Sequence, residues 1–348
     1  MAGRPPYTIT EKAADYLAGI VETVTALEYG TGFKHNLRLH RVNRLKTIHS
    51  SLAVEGNLLS LGEVSAVIEG KLVAGRQADI KEVKNAYEAY DSIMGFNPYR
   101  VEDFLEAHRL MTEGLVREAG RFRSGEVGVF NGAVPIHLGV RPQFVPDLVA
   151  DLLRWARESE LHPVLKSAVV HYEIEMIHPF ADGNGRMGRL WQTLILAKWK
   201  EVFAWIPMES ALYSNRPQYY RAIAESRAEN DSGAFIEFSL STILVSLREQ
   251  QLEQKKHKDE HKDEHKDKHR DERQAERQAE LSGVQRAVLE ALKQGPLSRR
   301  EIFEAIGLRG DFRAFKRHVE PLIDEGLISM TLPDKPSSRL QKYRLNDD

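Results

Sequence analysis

Hydrophobic positions recur at helical spacing through most of the first 250 residues. In EKAADYLAGIVETVTAL, residues Ala14, Leu17, Ile20, Val21, Val24 and Leu27 fall on one stripe of a 3.6-residue period, which predicts an amphipathic helix. EVKNAYEAYDSIM and VEDFLEAHRLMTEGLV repeat the pattern. PDLVADLLRWARE opens on Pro146 and Asp147, residues suited to a first helical turn. HPVLKSAVVHYEIEMI aligns Leu165, Ala168, Val169, Tyr172 and Met176, and LWQTLILAKW is apolar on nearly every side, as a central buried helix should be. One stretch departs from this. GRFRSGEVGVFNGAVPIHLGVRPQFVP is rich in Gly and Pro with short β-favouring pieces, and predicts a β-hairpin or flap between helices.

The periodicity fails altogether over residues 255–280, KKHKDEHKDEHKDKHRDERQAERQAE. Without an apolar face this low-complexity run is either a solvated lone helix, helped by pairs such as Glu264–Lys268, or a disordered linker. His257, His261, His265 and His269 would align on one helix face, but the repeat itself generates that spacing, so it is weak evidence for a metal site. Beyond it the pattern reads helix, turn, helix, turn, helix and a short hairpin, with Ser298 and Glu301 spaced for a capping box; this is a winged-helix pattern. The expected organisation is a helical N-terminal region (1–95), a helical core (96–250), a charged linker or lone helix (251–281) and a winged-helix domain (282–348).

Composition narrows the chemistry. The chain has 348 residues, 42% hydrophobic and 29% charged, with a net charge of -2, so no global field marks a nucleic-acid or membrane-surface protein and DNA binding would need a local patch. The absence of cysteine excludes disulfides, thiolate metal sites and thiol nucleophiles, and suits a reducing, cytoplasmic setting. MAGRPPYTITEK has no signal-peptide run, and no segment approaches the roughly 20 apolar residues of a membrane span, so no membrane association is expected.

The densest chemistry lies in HPFADGNGRMGR, His178 to Arg189. Pro179 stops the preceding helix and leaves His178 at the mouth of a loop. Gly183-Asn184-Gly185 can turn backbone N–H groups inward just before a helix expected from about Arg186 to Trp199, which makes an anion nest. Arg186 and Arg189, one turn apart, can both reach a polyphosphate. Asp182 beside phosphates implies a cation between them, and Mg²⁺ held by one carboxylate plus phosphate oxygens fits. His178, with an ordinary pKa of about 6.5, suits a general base. Together these residues predict nucleotide binding with phosphoryl or nucleotidyl transfer onto a hydroxyl.

The stretch resembles the Fic family signature, His-Pro-Phe-x-(Asp/Glu)-Gly-Asn-Gly-Arg-x-x-Arg, without mismatch. The resemblance implies an all-α, Fic-type helical bundle with a β-hairpin flap, followed here by a small winged helix-turn-helix domain. It also implies AMP transfer from ATP, with Mg²⁺, to a Ser, Thr or Tyr hydroxyl of a target protein, with the protein itself among the candidate targets. Carried over, His178 deprotonates the hydroxyl, Phe180 packs under the loop and Asp182 holds Mg²⁺. Gly183, Asn184 and Gly185 cradle the α- and β-phosphates, and Arg186 and Arg189 take the outer phosphates. The flap, GEVGVFNG with Val127, Gly128, Val129 and Phe130, would pair with the target backbone. ALYSNRPQYYRAI resembles the segment lining the adenine site, with Tyr219, Tyr220 and Asn215 as candidates.

A second stretch, SSLAVEGN, resembles the family's inhibitory helix motif, (Ser/Thr)-x-x-x-Glu-(Gly/Asn), through Ser51, Glu55 and Gly56. Ser51 and Glu55 share one helix face. The implied role is an ion pair from Glu55 to Arg189 that blocks the γ-phosphate and autoinhibits the enzyme in cis. Two other readings stay open: removal of AMP from a modified protein at the same site, and a DNA-binding regulator in which the catalytic part is ancillary. The latter rests on Arg313, Lys316 and Arg317, with Arg309 and His318, along the candidate recognition helix. A homodimer is also expected from the resemblance.

Overall fold

The computed structural model describes residues 4–29, 36–126, 128–131, 134–138, 140–254, 282–308, 312–336, 338 and 340–346. The charged repeat at 255–280 lies outside the described residues, as do Val127 and Arg309. The chain forms two compact units, Met1–Lys256 and His257–Asp348.

In the first unit helices follow one another: α1 (Glu11–Tyr29), α2 (Leu37–Val54), α3 (Leu61–Ile68), α4 (Gln77–Asp91) and α5 (Val101–Thr112). After the hairpin β1 (Gly128–Asn131) and β2 (Val134–Leu138) come α6 (Val145–Glu158), α7 (Pro163–Ile177), α8 (Asn184–Trp199), α9 (Met208–Ser214) and α10 (Arg216–Glu229). A helix over 233–254, here α11, closes the described part of the unit.

The helices α7 and α8 pack along each other at the centre, and their residue order explains why. On one side Val170, Ile174, Leu190, Trp191 and Leu194 join Ile48, Val83, Phe104 and Leu153 in one apolar cluster. On the other, Leu165, Ala168, Val169, Leu196 and Ala197 join Ile20, Val24, Phe203, Ile236 and Leu240 in a second. Both helices therefore bury most of their circumference, as the nearly continuous apolar run LWQTLILAKW required. Each such aliphatic or aromatic side chain contributes roughly 1.5–3 kcal/mol on burial. The Trp191 Nε1–H, which would otherwise be stranded in that core, donates to the Pro98 carbonyl at 3.0 Å.

Three local features differ from the sequence expectation. Helix α5 stops at Thr112 instead of running to Val116, because Gly114 takes a left-handed φ of 74° and the N–H groups of Leu115 and Val116 fold back onto the Thr112 carbonyl. Helix α8 begins at Asn184, two residues earlier than expected, because Gly183 alone absorbs the turn with a φ of 89°. The C-terminal unit has a third strand that its two-residue length hid.

That unit contains α12 (Gly283–Leu292), β3 (Leu297–Ser298), α13 (Arg299–Ala305), α14 (Phe312–His318), α15 (Glu320–Asp324), β4 (Ile328–Met330) and β5 (Lys342–Leu345). The strands form an antiparallel sheet in the order β3-β5-β4, with Leu297 and Met330 both opposite Tyr343. Capping boxes start α12 (Ser282 with Gln285) and α13 (Ser298 with Glu301). Val288, Leu292, Ile302, Phe303, Val319, Leu322, Ile328 and Tyr343 make its own core. Among the described residues no helix is long and apolar enough to cross a membrane.

Candidate active site

The loop between α7 and α8 gathers the chemistry. Pro179 cannot continue α7, and the helix ends on His178 in the left-handed region (φ 51°, ψ 62°), costly for a residue with a Cβ. Surrounding contacts hold this turn in place. Phe180 is fully buried and stacks on His108, ring centroids 3.6 Å apart. The Asn184 side chain closes the loop on itself, its Oδ1 accepting from the Phe180 N–H and its Nδ2 donating to the Phe180 carbonyl, both at 2.9 Å. Asn184 therefore organises the loop through its side chain and leaves only its backbone to face an anion.

His108, from α5, supports the loop from below. Its Nδ1 accepts the Gly120 N–H at 3.0 Å, which leaves Nε2–H to donate to the Asp182 carbonyl at 3.0 Å. Burial pushes its pKa down to about 4, despite the opposing pull of the Asp182 carbonyl, so the ring is neutral and keeps this one tautomer. Close approach explains Gly183: a Cβ there would sit 3.0 Å from the Thr112 methyl group.

The first turn of α8 carries the two arginines. Arg186 is buried and pairs with Glu82 at 3.3 Å and Asp182 at 3.2 Å. Glu82, on α4, also accepts from the Asn57 amide at 2.8 Å, so it joins the segment after α2 to this loop. The Asp182 side chain is 65% exposed and accepts the Gly183 N–H at 2.6 Å, leaving one carboxylate oxygen toward solvent. Among the described residues no three His, Asp or Glu side chains are grouped to hold a metal ion. A divalent ion at Asp182 would thus take its remaining ligands from phosphate and water, the usual manner of Mg²⁺.

Arg189 is 2% exposed and meets the C-terminal end of α2. Its Nε donates to the Ser51 Oγ at 3.1 Å, and its Nη2 donates to the Ser51 carbonyl at 2.9 Å and to the Glu55 Oε1 at 2.7 Å. Burial pulls the guanidinium pKa down, but Glu55, with Tyr219 and Tyr90, outweighs it and the net displacement is upward, so Arg189 stays charged. Glu55 caps α2 and Gly56 follows in the left-handed region (φ 94°), which turns the chain away just beyond the carboxylate. The carboxylate lies so close to α8 that a Cβ on Gly185 would overlap it. Meanwhile the Arg189 Nη1 and the Arg186 Nε are buried without a hydrogen-bond partner among the described residues. A cradle that only glycine leaves open, at a helix N-terminus, with two unspent guanidinium N–H groups, fits a phosphate chain.

Of the adenine-site candidates, Tyr219 is only 1% exposed. Its hydroxyl donates to Glu175 at 2.9 Å and lies 3.2 Å from the His171 Nε2. Tyr220 is 45% exposed, its hydroxyl 3.5 Å from the Val54 carbonyl, and the Asn215 amide donates to the Ala211 carbonyl at 2.8 Å. Tyr220 is thus the half-exposed ring of the pair. The flap strands β1 and β2 pair antiparallel with a register shift between Val129 and Phe130. In the second unit Arg313, Lys316 and Arg317 are all exposed along α14.

Sequence reasoning missed His108, Glu82, Arg123 and Glu175. Arg123, ahead of the flap, is buried and bonds only to backbone carbonyls. Glu175, on α7, is pushed up to about 7, first by burial and then by the charge of Glu55, with Arg189 and the Tyr219 hydrogen bond opposing.

The structure thus defines a mostly helical core that presents a Gly-rich helix start, with Arg186 and Arg189 in its first turns, beside a histidine turn. Residues 98–196 match the Fic/DOC family, and residues 284–346 match the Fic-like C-terminal domain of the filamentation induced by cAMP proteins. A crystal structure of a Fic family protein from Desulfovibrio desulfuricans G20 is 36% identical over 99% of both chains, with a TM-score of 0.68. The chain belongs to the Fic family. Among curated relatives, protein adenylyltransferase fic-1 of Caenorhabditis briggsae is 28% identical over 208 residues, and protein adenylyltransferase Fic of Nematostella vectensis is 30% identical over 199. These matches cover 55% of this chain but 38% and 45% of those proteins, so the chain spans less than half their length.

Proposed function

We propose that the protein is a protein adenylyltransferase that moves AMP from ATP to a Ser, Thr or Tyr hydroxyl of a target protein, itself included, and that Glu55 holds it back in cis. The observation that carries the reading is the first turn of α8, where the Glu55 carboxylate rests on Arg189 and over Gly185, the place that suits a phosphate. In the reaction His178 takes the proton of the target hydroxyl. That oxygen forms a bond to the α-phosphorus, the bond from the α-phosphorus to the bridging oxygen breaks, and pyrophosphate leaves with the electron pair.

The backbone at Gly183, Asn184 and Gly185 would cradle the α- and β-phosphates, the Gly183 N–H first leaving the Asp182 carboxylate that it now meets, with Arg186 and Arg189 on the outer phosphates. Asp182 would hold Mg²⁺, which neutralises phosphate charge when bound. Tyr220 would border the adenine, with Tyr219 and Asn215 shaping the wall behind it, and the flap at 127–130 would seat the target backbone. While Glu55 holds Arg189, the γ-phosphate competes with a tethered carboxylate, and the bound pose is unproductive.

The test is labelling with ATP carrying its label at either the α- or the γ-phosphate. Glu55→Gly should label itself or added protein from the α-position alone, above wild type, and adding His178→Ala should abolish it. Label from the γ-position, or none from either, would overturn the reading. Release of AMP from a modified target by the wild-type protein would instead assign the reverse reaction. For the C-terminal unit, the exposed Arg313, Lys316 and Arg317 favour a winged-helix reading with contact to DNA phosphates.

A further inference from the structure

Arg123 has no part in the reaction as described, yet it is 2% exposed and each of its three guanidinium nitrogens donates to a backbone carbonyl. Nε donates to the His178 carbonyl at 2.7 Å, Nη1 to the Gly125 carbonyl at 2.8 Å and Nη2 to the Val140 carbonyl at 2.5 Å. Its own backbone N–H donates to the Pro179 carbonyl at 3.0 Å. Gly125 and Val140 are the two ends of the flap, one just before β1 and the other just after β2. His178 and Pro179 are the turn that aims the candidate base. One side chain therefore staples the flap's entry and exit to the turn that carries the imidazole.

Two physical points make this more than a filled cavity. Burial pulls the Arg123 pKa down, with only Glu126 opposing it, and no carboxylate lies within 4.0 Å among the described residues. A buried cation with no ion pair among the described residues, Glu126 acting on it only from beyond 4.0 Å, is an expensive way to fill space, and an apolar residue would do so more cheaply. What arginine adds is a planar fork whose three nitrogens reach three carbonyls in fixed directions; lysine offers a single ammonium. The second point is the backbone it grips. His178 is one of two non-glycine residues with a positive φ among the described residues, and its carbonyl direction is what the left-handed turn sets. Holding that carbonyl holds the turn.

We propose that Arg123 is a positioning residue that couples the flap to His178, so that the seat of the target backbone and the aim of the imidazole are set together. The inference rests on the reading of His178 as base and the flap as target seat, and deepens it. A target strand docked on the flap is then registered against the base through one rigid link, about one ångström of misplacement being enough to cost on the order of a hundredfold in rate.

The test uses the full chain with Arg123→Lys and Arg123→Met, each in the Glu55→Gly background. Hydrogen exchange read by mass spectrometry follows 124–126, 140–141 and 178–182, and initial rates of AMP labelling are taken against ATP concentration. In Arg123→Met both flap ends and the 178–182 turn should lose protection together, by tenfold or more, while α8 keeps its own. Labelling at saturating ATP should fall at least tenfold with the KM for ATP within twofold, and Arg123→Lys should recover part of it. Arg123→Lys alone decides the matter if the Met variant does not fold. The proposal is overturned if the 178–182 turn keeps its protection while the flap loosens, or if rate and KM change in proportion. If the Glu55→Gly parent shows no labelling, the functional reading fails, and the exchange data alone judge the link.

Discussion

Replacing Glu55 by glycine should weaken the protein and strengthen its grip on ATP by related amounts. Breaking a fully buried ion pair costs about 3–5 kcal/mol, but the Glu55 side chain is 35% exposed and Arg189 keeps both Ser51 contacts, which lowers the expected loss to about 1–2 kcal/mol. For a unit of this size that is a fall in Tm of roughly 2–8 °C without nucleotide. The same energy is what ATP must overcome in the wild type to displace the carboxylate, so the variant should bind Mg·ATP about 5–30-fold more tightly. At a hundredfold excess over its Kd, ATP returns about 2.7 kcal/mol, enough to lift the variant back to the nucleotide-free wild type or above. Thermal unfolding with and without Mg·ATP, with isothermal titration on both proteins, measures each quantity. Equal unfolding temperatures and equal ATP affinities would refute the claim that Glu55 and the γ-phosphate share Arg189.

Glu175 is raised to about 7, so its contribution to stability is full below its ordinary value near 4.5 and is lost as pH rises through 7. Glu175→Gln should therefore match wild type near pH 4 and be more stable near pH 9, by at most about 3 kcal/mol at roughly 1.4 kcal/mol per unit of displacement; a pH-independent difference in Tm would contradict this. Gly185→Ala should break the Glu55 contact without activating the protein, because the new methyl group occupies the phosphate's place, and labelling as strong as that of Glu55→Gly would be the contrary result. If Arg313, Lys316 and Arg317 each meet a DNA phosphate, the logarithm of affinity for random duplex should fall with log salt at a slope of about -2 to -3. Arg317→Ala should flatten it by about one, and absence of binding at low salt would remove the idea.

Much of this was legible in the residues because it is local. Helix α8 announced itself by apolar positions nearly all round, whereas α7 read as a single stripe and is in fact packed on both sides, and His178 to Arg189 carries its chemistry within one turn and one loop. The Ser51–Glu55 pair could be read from one helix face, and its meeting with Arg189 came through the family resemblance. What escaped depends on contacts far apart in sequence. His108 reaches Asp182 across 74 positions and Glu82 reaches Arg186 across 104, and neither has a local pattern that separates it from any other helix residue. Arg123 stands in a Gly-rich stretch with no local pattern to mark it. Its burial follows from a flap whose two ends converge, which periodicity cannot express. The early start of α8 escaped because one left-handed glycine replaced the three-residue turn that Gly-Asn-Gly suggested.

Intact-mass measurement of the Glu55→Gly protein after incubation with ATP and Mg²⁺ tests the central claim most directly. The account predicts a species heavier by one or more AMP groups, absent from the Glu55→Gly, His178→Ala protein under the same conditions. An unchanged mass with ATP bound, or an adduct that persists without His178, would contradict it.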